Sequence, residues 1–261
     1  MEERAAAKKK HRLTPVSILH YVKLVYRSAL FLLALLWYIP VKIKYGEIVL
    51  KLLSKPWILW ALWLVFVVEM LLRFIPSKLE SPGCQKQFKR NYKKSGKTDI
   101  VVQDNNATML VALVWISFNA LFGIFHMLGI FDDGIMILLS CAYSVCDMIC
   151  ILFFCPFQSW FLKNKCCSSC RIYNWDYAMM FTPLFFIKGF YSWSLLILSI
   201  ILMIRWEIAF YRHPEYFSEE TNEYLKCANC TEKLCTHKKQ LHGLWLRVAE
   251  FTAERTKRLL K

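Results

Sequence analysis

Apolar residues in this chain fall into long blocks divided by short polar stretches, and the block lengths set the first expectation. A helix needs about 20 mostly apolar residues to cross a hydrocarbon core. Tyr21 to Val41, Pro56 to Ile75, Ala107 to Ile130 and Gly134 to Leu162 all reach that length. A fifth region, Ala178 to Tyr211, is longer than one crossing needs and is interrupted by Lys188-Gly189. Pro56 opens the second block where its missing N–H costs nothing, and Trp57, Trp60 and Trp63 mark one interface. Lys23 and Arg27 stand at the start of the first block, placed to reach back to the surface by their long stems. The pattern predicts an all-α, polytopic membrane protein. Residues 1–211 form the helical membrane domain, and 212–261 form a cytoplasmic, Cys-containing basic tail.

Composition supports the class: of 261 residues, 57% are hydrophobic and 20% charged, too apolar for a disordered chain and too sparsely charged to coat one soluble domain. The N-terminal KKKHR resembles a signal-peptide start, but the run behind it is long and lacks a small-residue cleavage site, so it reads as a retained anchor.

Charge then orients the blocks. Lysine and arginine number 7 in residues 1–27, 4 in 41–55, 8 in 73–106, none in 131–134, 3 in 163–177, one at Lys188 and 11 from Arg205 onward. With the N-terminus inside, a single crossing by 178–211 leaves 18 basic residues inside and 15 outside. Entry and return by 172–211, turning near Lys188-Gly189, gives 29 against 5. The positive-inside rule selects the second arrangement: six membrane segments, both termini cytoplasmic, in the plasma membrane. Its first limb, about Ile172 to Ile187, is short or re-entrant, about 24 Å as α-helix. Because it carries Asn174, Asp176 and Pro183, it is expected to be buried against other helices. The net charge of +15 lies mostly beside the blocks, so anionic inner-leaflet lipid is the expected partner rather than nucleic acid, for which no base-reading module is present.

Eleven cysteines carry the candidate chemistry. Cys141, Cys146, Cys150 and Cys155 lie in the fourth block and read as small packing residues between helices. Cys84 is alone. The others form KCCSSC, with Cys166, Cys167 and Cys170, and KCANCTEKLCTH, with Cys227, Cys230, Cys235 and His237. A C-x-x-C pair directs two thiolates at one ion, so Cys167/Cys170 and Cys227/Cys230 supply four zinc ligands. Their 56-residue separation suits a membrane hairpin that brings the flanks together. A tail-only set of Cys227, Cys230, Cys235 and His237 competes with it, as does an iron–sulfur cluster. The same spacing also serves thiol–disulfide exchange, disfavoured by the predicted cytoplasmic face and the lack of a thioredoxin-like pattern.

Among ionisable groups at membrane depth, Asp147 is the foremost candidate, to line an ion path or to hydrogen-bond a neighbouring helix. Glu69 and His126 lie near the ends of their blocks, and Lys188 falls in the outer turn. Two glycosylation sequons, at Asn106 and Asn229, fall on the predicted inside and are discounted. Leu241, Leu244, Trp245, Val248 and Phe251 share a face flanked by basic residues, which predicts an amphipathic tail helix. No hydrolase, metalloprotease or nucleotide motif occurs. The leading expectation is a binding or scaffold-type membrane component with a structural metal. A transporter using Asp147 follows, then a membrane thiol oxidoreductase.

Overall fold

The computed structural model describes residues 14–45, 56–76, 82–162 and 169–230. Among the described residues, seven α-helices run in the order α1 (Pro15–Tyr45), α2 (Pro56–Leu72), α3 (Pro82–Gln87), α4 (Asn105–Met127), α5 (Asp133–Leu152), α6 (Asp176–Phe181) and α7 (Phe190–Arg212). Among the described residues there is no strand, only an isolated bridge between Lys94 and Asn222. The helical class is as the sequence predicts. Helices α1, α4, α5 and α7 are long and apolar enough to cross a membrane, and α2 carries a shorter apolar run, Trp60–Leu72. Large aliphatic residues such as Leu113, Ile116, Ile197 and Ile204 stay exposed along them, a surface too apolar for water and suited to lipid.

Helix starts follow local rules. Thr14 precedes Pro15, and its hydroxyl accepts from the Ser17 N–H at 3.2 Å. Asp104 caps α4 through the Asn106 N–H, and Asp132 caps α5 through the Ile135 N–H at 2.9 Å. Between α4 and α5 the chain reverses in five residues, with Gly129 at φ 73°, a left-handed geometry that favours glycine. The fourth apolar block does not continue as one helix to Leu162: α5 ends at Leu152, and a π-helical turn follows over Phe157–Phe161. Pro156 explains the stop, because its ring clashes with the carbonyl four residues back, that of Leu152.

Side-chain contacts define two ends of the bundle. At one, Tyr38 donates to Asp132, Trp63 Nε1 donates to Ser194 Oγ at 2.8 Å, and the Phe186 ring lies 6.3 Å from that of His126. At the other, Arg171 Nη1 donates to Asn105 Oδ1 at 2.6 Å and pairs with Glu207, while Arg205 donates to the carbonyls of Arg73 and Phe74. Those carbonyls close the end of α2, where a cation also suits the helix dipole.

The limb from Arg171 to Phe186 runs between these ends. It begins at Asn105, and its Phe186 ring fills the space a Cβ on Gly123 would need. Asn105 and Gly123 are about 27 Å apart along α4. The limb covers this with 16 residues because its outer thirds, Arg171–Trp175 and Thr182–Phe186, are 3-10 helix around α6. At about 2.0 Å per 3-10 residue and 1.5 Å per α residue it reaches about 29 Å. As expected from its polar residues, it is buried: Ile172, Asn174, Asp176, Tyr177, Met180 and Leu184 are all core positions packed on α5 and α7.

Residues 213–230 pack on the 82–97 loop through Asn222, which is fully buried. Its Nδ2 donates to the carbonyls of Lys86 at 3.0 Å and Tyr216 at 2.9 Å, and its Oδ1 accepts from the Tyr224 N–H at 3.1 Å. Glu223 N–H donates to the Lys93 carbonyl, and the Ser95 hydroxyl to that of Glu220. The KKKHR segment and the predicted amphipathic tail helix lie outside the described residues.

Candidate functional site

The clearest concentration of chemistry is a set of buried charges shared by four elements. Lys23 and Arg27 lie one turn apart on α1. Glu69 on α2 and Arg73 just beyond it are likewise four residues apart and share a face. Glu69 is the hub. Its Oε2 accepts from Arg27 Nη2 and from the Tyr177 hydroxyl, each at 2.8 Å. Its Oε1 accepts from the Tyr26 hydroxyl at 2.7 Å and has Lys23 Nζ at 3.4 Å. Arg27 reaches the other way through Nη1, to Asp147 Oδ2 at 2.9 Å and the Ser144 carbonyl at 3.2 Å. The rings of Phe66 and Tyr177 flank its guanidinium at 5.7 and 5.9 Å. Arg73 grips Asp176 with both Nη atoms at 2.6 Å and lies 4.5 Å from the Tyr177 ring centre.

Three cations, Lys23, Arg27 and Arg73, therefore face three carboxylates, Glu69, Asp147 and Asp176. Each charge alone would cost several kcal/mol away from water; the three opposite pairs balance, and most of their polar atoms are hydrogen-bonded, Arg73 Nε and Asp176 Oδ2 excepted. This corrects one expectation. Arg27 does not snorkel to a surface: its side chain is 1% exposed and turned into the bundle, because two carboxylates wait there. Asp147 does hydrogen-bond a neighbouring helix, as one of its two readings had it. Glu69, set aside for its nearness to a helix end, is the centre of the network. The signal available in sequence was the pairing of charges at spacing four in two apolar blocks, Lys23/Arg27 and Glu69/Arg73.

Against this network lies a cavity of about 210 Å³, where α5 has broken and the limb passes. Trp115, Tyr143, Phe157 and Tyr173 supply aromatic walls, Cys146, Cys150, Cys155, Cys170, Met179 and Met180 supply sulfur, and Asp147 and Asp176 lie at its charged side. Trp115 is fixed by donating to the Thr182 hydroxyl at 3.2 Å and by a tilted contact with the Tyr143 ring at 4.6 Å between centres. Of the fourth block's cysteines, expected as packing residues between helices, Cys146 is exposed and Cys141, Cys150 and Cys155 are half-buried, and Cys146, Cys150 and Cys155 face this space.

Other expected residues have local roles. His126 Nδ1 lies 3.0 Å from the Phe131 carbonyl and Nε2 3.5 Å from Asp133, which ties the α4–α5 turn. Lys188 is exposed in the turn between the limb and α7. Arg171, not singled out in sequence, is a second anchor: it pairs with Glu207, donates from Nη2 to the Tyr211 hydroxyl at 3.0 Å and lies 4.2 Å from the Phe210 ring centre. In the lobe outside the spans, Lys97 and Glu220 pair at 2.5 Å. That hydrogen bond holds the Glu220 carboxyl below its ordinary range and the Lys97 ammonium above its own.

Of the six candidate metal ligands, Cys167, Cys235 and His237 lie outside the described residues, as does the side chain of Cys227. Cys170 is buried on the cavity wall, and Cys230 Sγ lies 3.6 Å from Lys86 Nζ. Among the described residues no group of three His, Cys, Asp or Glu side chains is placed to hold a metal. Compared with known proteins, the chain matches no family model, no curated protein and no solved structure.

Proposed function

We propose that the protein is a multi-pass membrane component that binds a small, mainly apolar molecule in the cavity beside Asp147, without transforming it. One observation carries this reading. The cavity is walled largely by aromatic and sulfur side chains, while the charges at its edge already neutralise one another through Arg27 and Arg73. Such a site offers burial and shape to an apolar group and few polar anchors to fix orientation. Its place between two interrupted helices is where membrane proteins build solute sites.

On this reading α1, α2, α4, α5, the limb and α7 make six crossings, with both termini on the cytoplasmic side of the plasma membrane. The contacts of the limb with both ends of α4 support that count. A structural zinc in the tail belongs to the same proposal. Ser169 donates to Glu219 at 2.7 Å, which brings the two cysteine segments to one end of the bundle. Because Cys170 faces the cavity, the tail's own Cys227, Cys230, Cys235 and His237 are the favoured ligands.

The test is photolabelling in bilayer nanodiscs with a diazirine-bearing aliphatic alcohol, mapped by mass spectrometry. Label is expected on Trp115, Tyr143 and Met179, and is expected to disappear in Met180→Trp, which fills the space. Label spread evenly over lipid-facing residues, or unchanged by filling, would overturn the reading. A second reading, solute transport, is favoured by one feature: Asp147 and Asp176 both border the cavity and both hold an arginine. Under it, Asp147→Asn abolishes flux and leaves metal content unchanged.

A further inference from the structure

Outside the cavity, the lobe made by the 82–97 loop and the 213–230 tail carries a second, unrelated pattern. The loop contains six lysines and arginines and no acidic residue. Two are engaged: Lys86 lies near the Tyr224 ring and Cys230, and Lys97 pairs with Glu220. Lys89, Arg90, Lys93 and Lys94 are all exposed, and among the described residues none has an acidic partner, although Lys93 also lies 5.7 Å from the Tyr224 ring centre.

Their depth is set by neighbouring rings. Phe88 packs on Trp206 at 5.1 Å, about two turns before the end of α7. Lys89 and Arg90, next in the chain, therefore leave the bundle near the level where its helices end. Tyr92 packs on Tyr216, four residues past α7, which sets Lys93 and Lys94 one layer further out. The extended segment that returns to α4 exposes Ile100 and Val101 on the way. Cations layered outward from the helix ends, beside exposed aliphatic residues, match a bilayer surface in both charge and polarity.

We propose that this loop is a docking surface for anionic phospholipid headgroups of the leaflet next to it, with Lys89 and Arg90 as the inner contacts and Lys93 and Lys94 as the outer ones. Asn222 makes the surface, because it pins the loop to the tail. The inference is independent of the cavity's ligand.

The experiment compares spin-labelled phosphatidylglycerol with spin-labelled phosphatidylcholine at the surface of the full chain in phosphatidylcholine bilayers. The native chain is expected to prefer phosphatidylglycerol, by about fivefold per contacting base at low salt. That preference is expected to fall as added salt shortens the Debye length. Lys89→Gln/Arg90→Gln removes most of it, Lys93→Gln/Lys94→Gln a smaller part, and Lys89→Glu/Arg90→Glu reverses it. Lys97→Gln/Glu220→Gln, which deletes an engaged pair and keeps the net charge, leaves it unchanged. All the replaced basic side chains are exposed, and an unaltered unfolding midpoint shows the fold is retained. Equal preference in the native chain and the Lys89/Arg90 variants would overturn the proposal. So would competition by inorganic phosphate beyond that of chloride at equal ionic strength, which would indicate a site for free phosphate, or retention of a nucleic acid in place of lipid.

Discussion

Replacing Arg27 by Met is the sharpest test of the buried network. The change keeps an unbranched stem of similar reach but removes the cation paired with Asp147 at 2.9 Å, and one of the two that pair with Glu69 among the described residues. Glu69 keeps Lys23 and the Tyr26 and Tyr177 hydroxyls, whereas Asp147 is left charged in an apolar setting. Breaking a buried pair by removing one partner costs about 3–5 kcal/mol, most of it the stranded charge. Asp147→Asn is milder, about 1–3 kcal/mol, because Arg27 retains Glu69 and the Ser144 carbonyl. The double variant no longer strands the aspartate, so it should lie above the sum of the singles by at least about 1 kcal/mol. Unfolding in bicelles, followed by a thiol-reactive dye that reads exposure of Cys141, Cys150, Cys155 and Cys170, measures all three. A cost below about 1 kcal/mol for Arg27→Met, or strict additivity, would refute the view that these charges hold the helices together.

Gly123→Leu should displace the Phe186 ring and destabilise the limb by about 1–3 kcal/mol, and Phe186→Ala in the same chain should recover most of it. Asn222→Ala strands the buried carbonyls of Lys86 and Tyr216 and should cost about 2–3 kcal/mol, seen as faster hydrogen exchange of the lobe with the bundle amides unchanged. Elemental analysis of purified chain should find about one zinc, with thiols of the tail alkylated only after chelation; absence of metal with reductant-released thiols would favour disulfide exchange instead. The Lys97–Glu220 pair gives a signed pH expectation. The depressed carboxyl contributes above its unfolded value and loses that contribution as pH falls through its folded one. The raised ammonium contributes below its unfolded value and loses it as pH rises through its folded one. Protease resistance of the lobe should therefore be flat from about pH 6 to 9 and weaken outside that window.

Block length was enough to read the helical class and four long apolar helices, and the polar residues of the limb its burial, because both depend on composition over many residues. Pro156 was legible too, yet the apolar run continued past it, and a hydropathy pattern gives little weight to one residue that ends a helix. The network was half legible. Asp147 stood out by depth, but Glu69 and Arg27 lie near block ends, where reaching water and reaching a partner are equally consistent with sequence. Which of these occurs depends on pairings 42 and 120 residues apart, set by how helices pack. The role of Asn222 was not legible at all, since a single asparagine in a polar tail carries no periodic signal.

The limb is the element through which these features meet. Asp176 and Tyr177 tie it to Arg73 and Glu69, Met179 and Met180 present it to the cavity, and Arg171 and Ser169 anchor its start to Glu207 and Glu219. A molecule in the cavity therefore touches the same short segment that fixes the tail lobe. It can shift the lobe only so far as it binds one limb position better than another. The two 3-10 thirds bear on this, for their hydrogen bonds are less favourable than those of α-helix and they hold the limb at its full length. A ligand that favoured a shorter, more α-helical limb would draw Arg171 away from Glu207, or Phe186 away from Gly123, and each contact can be followed separately. The network resists such movement at the middle of the limb, so any response would concentrate at its two ends.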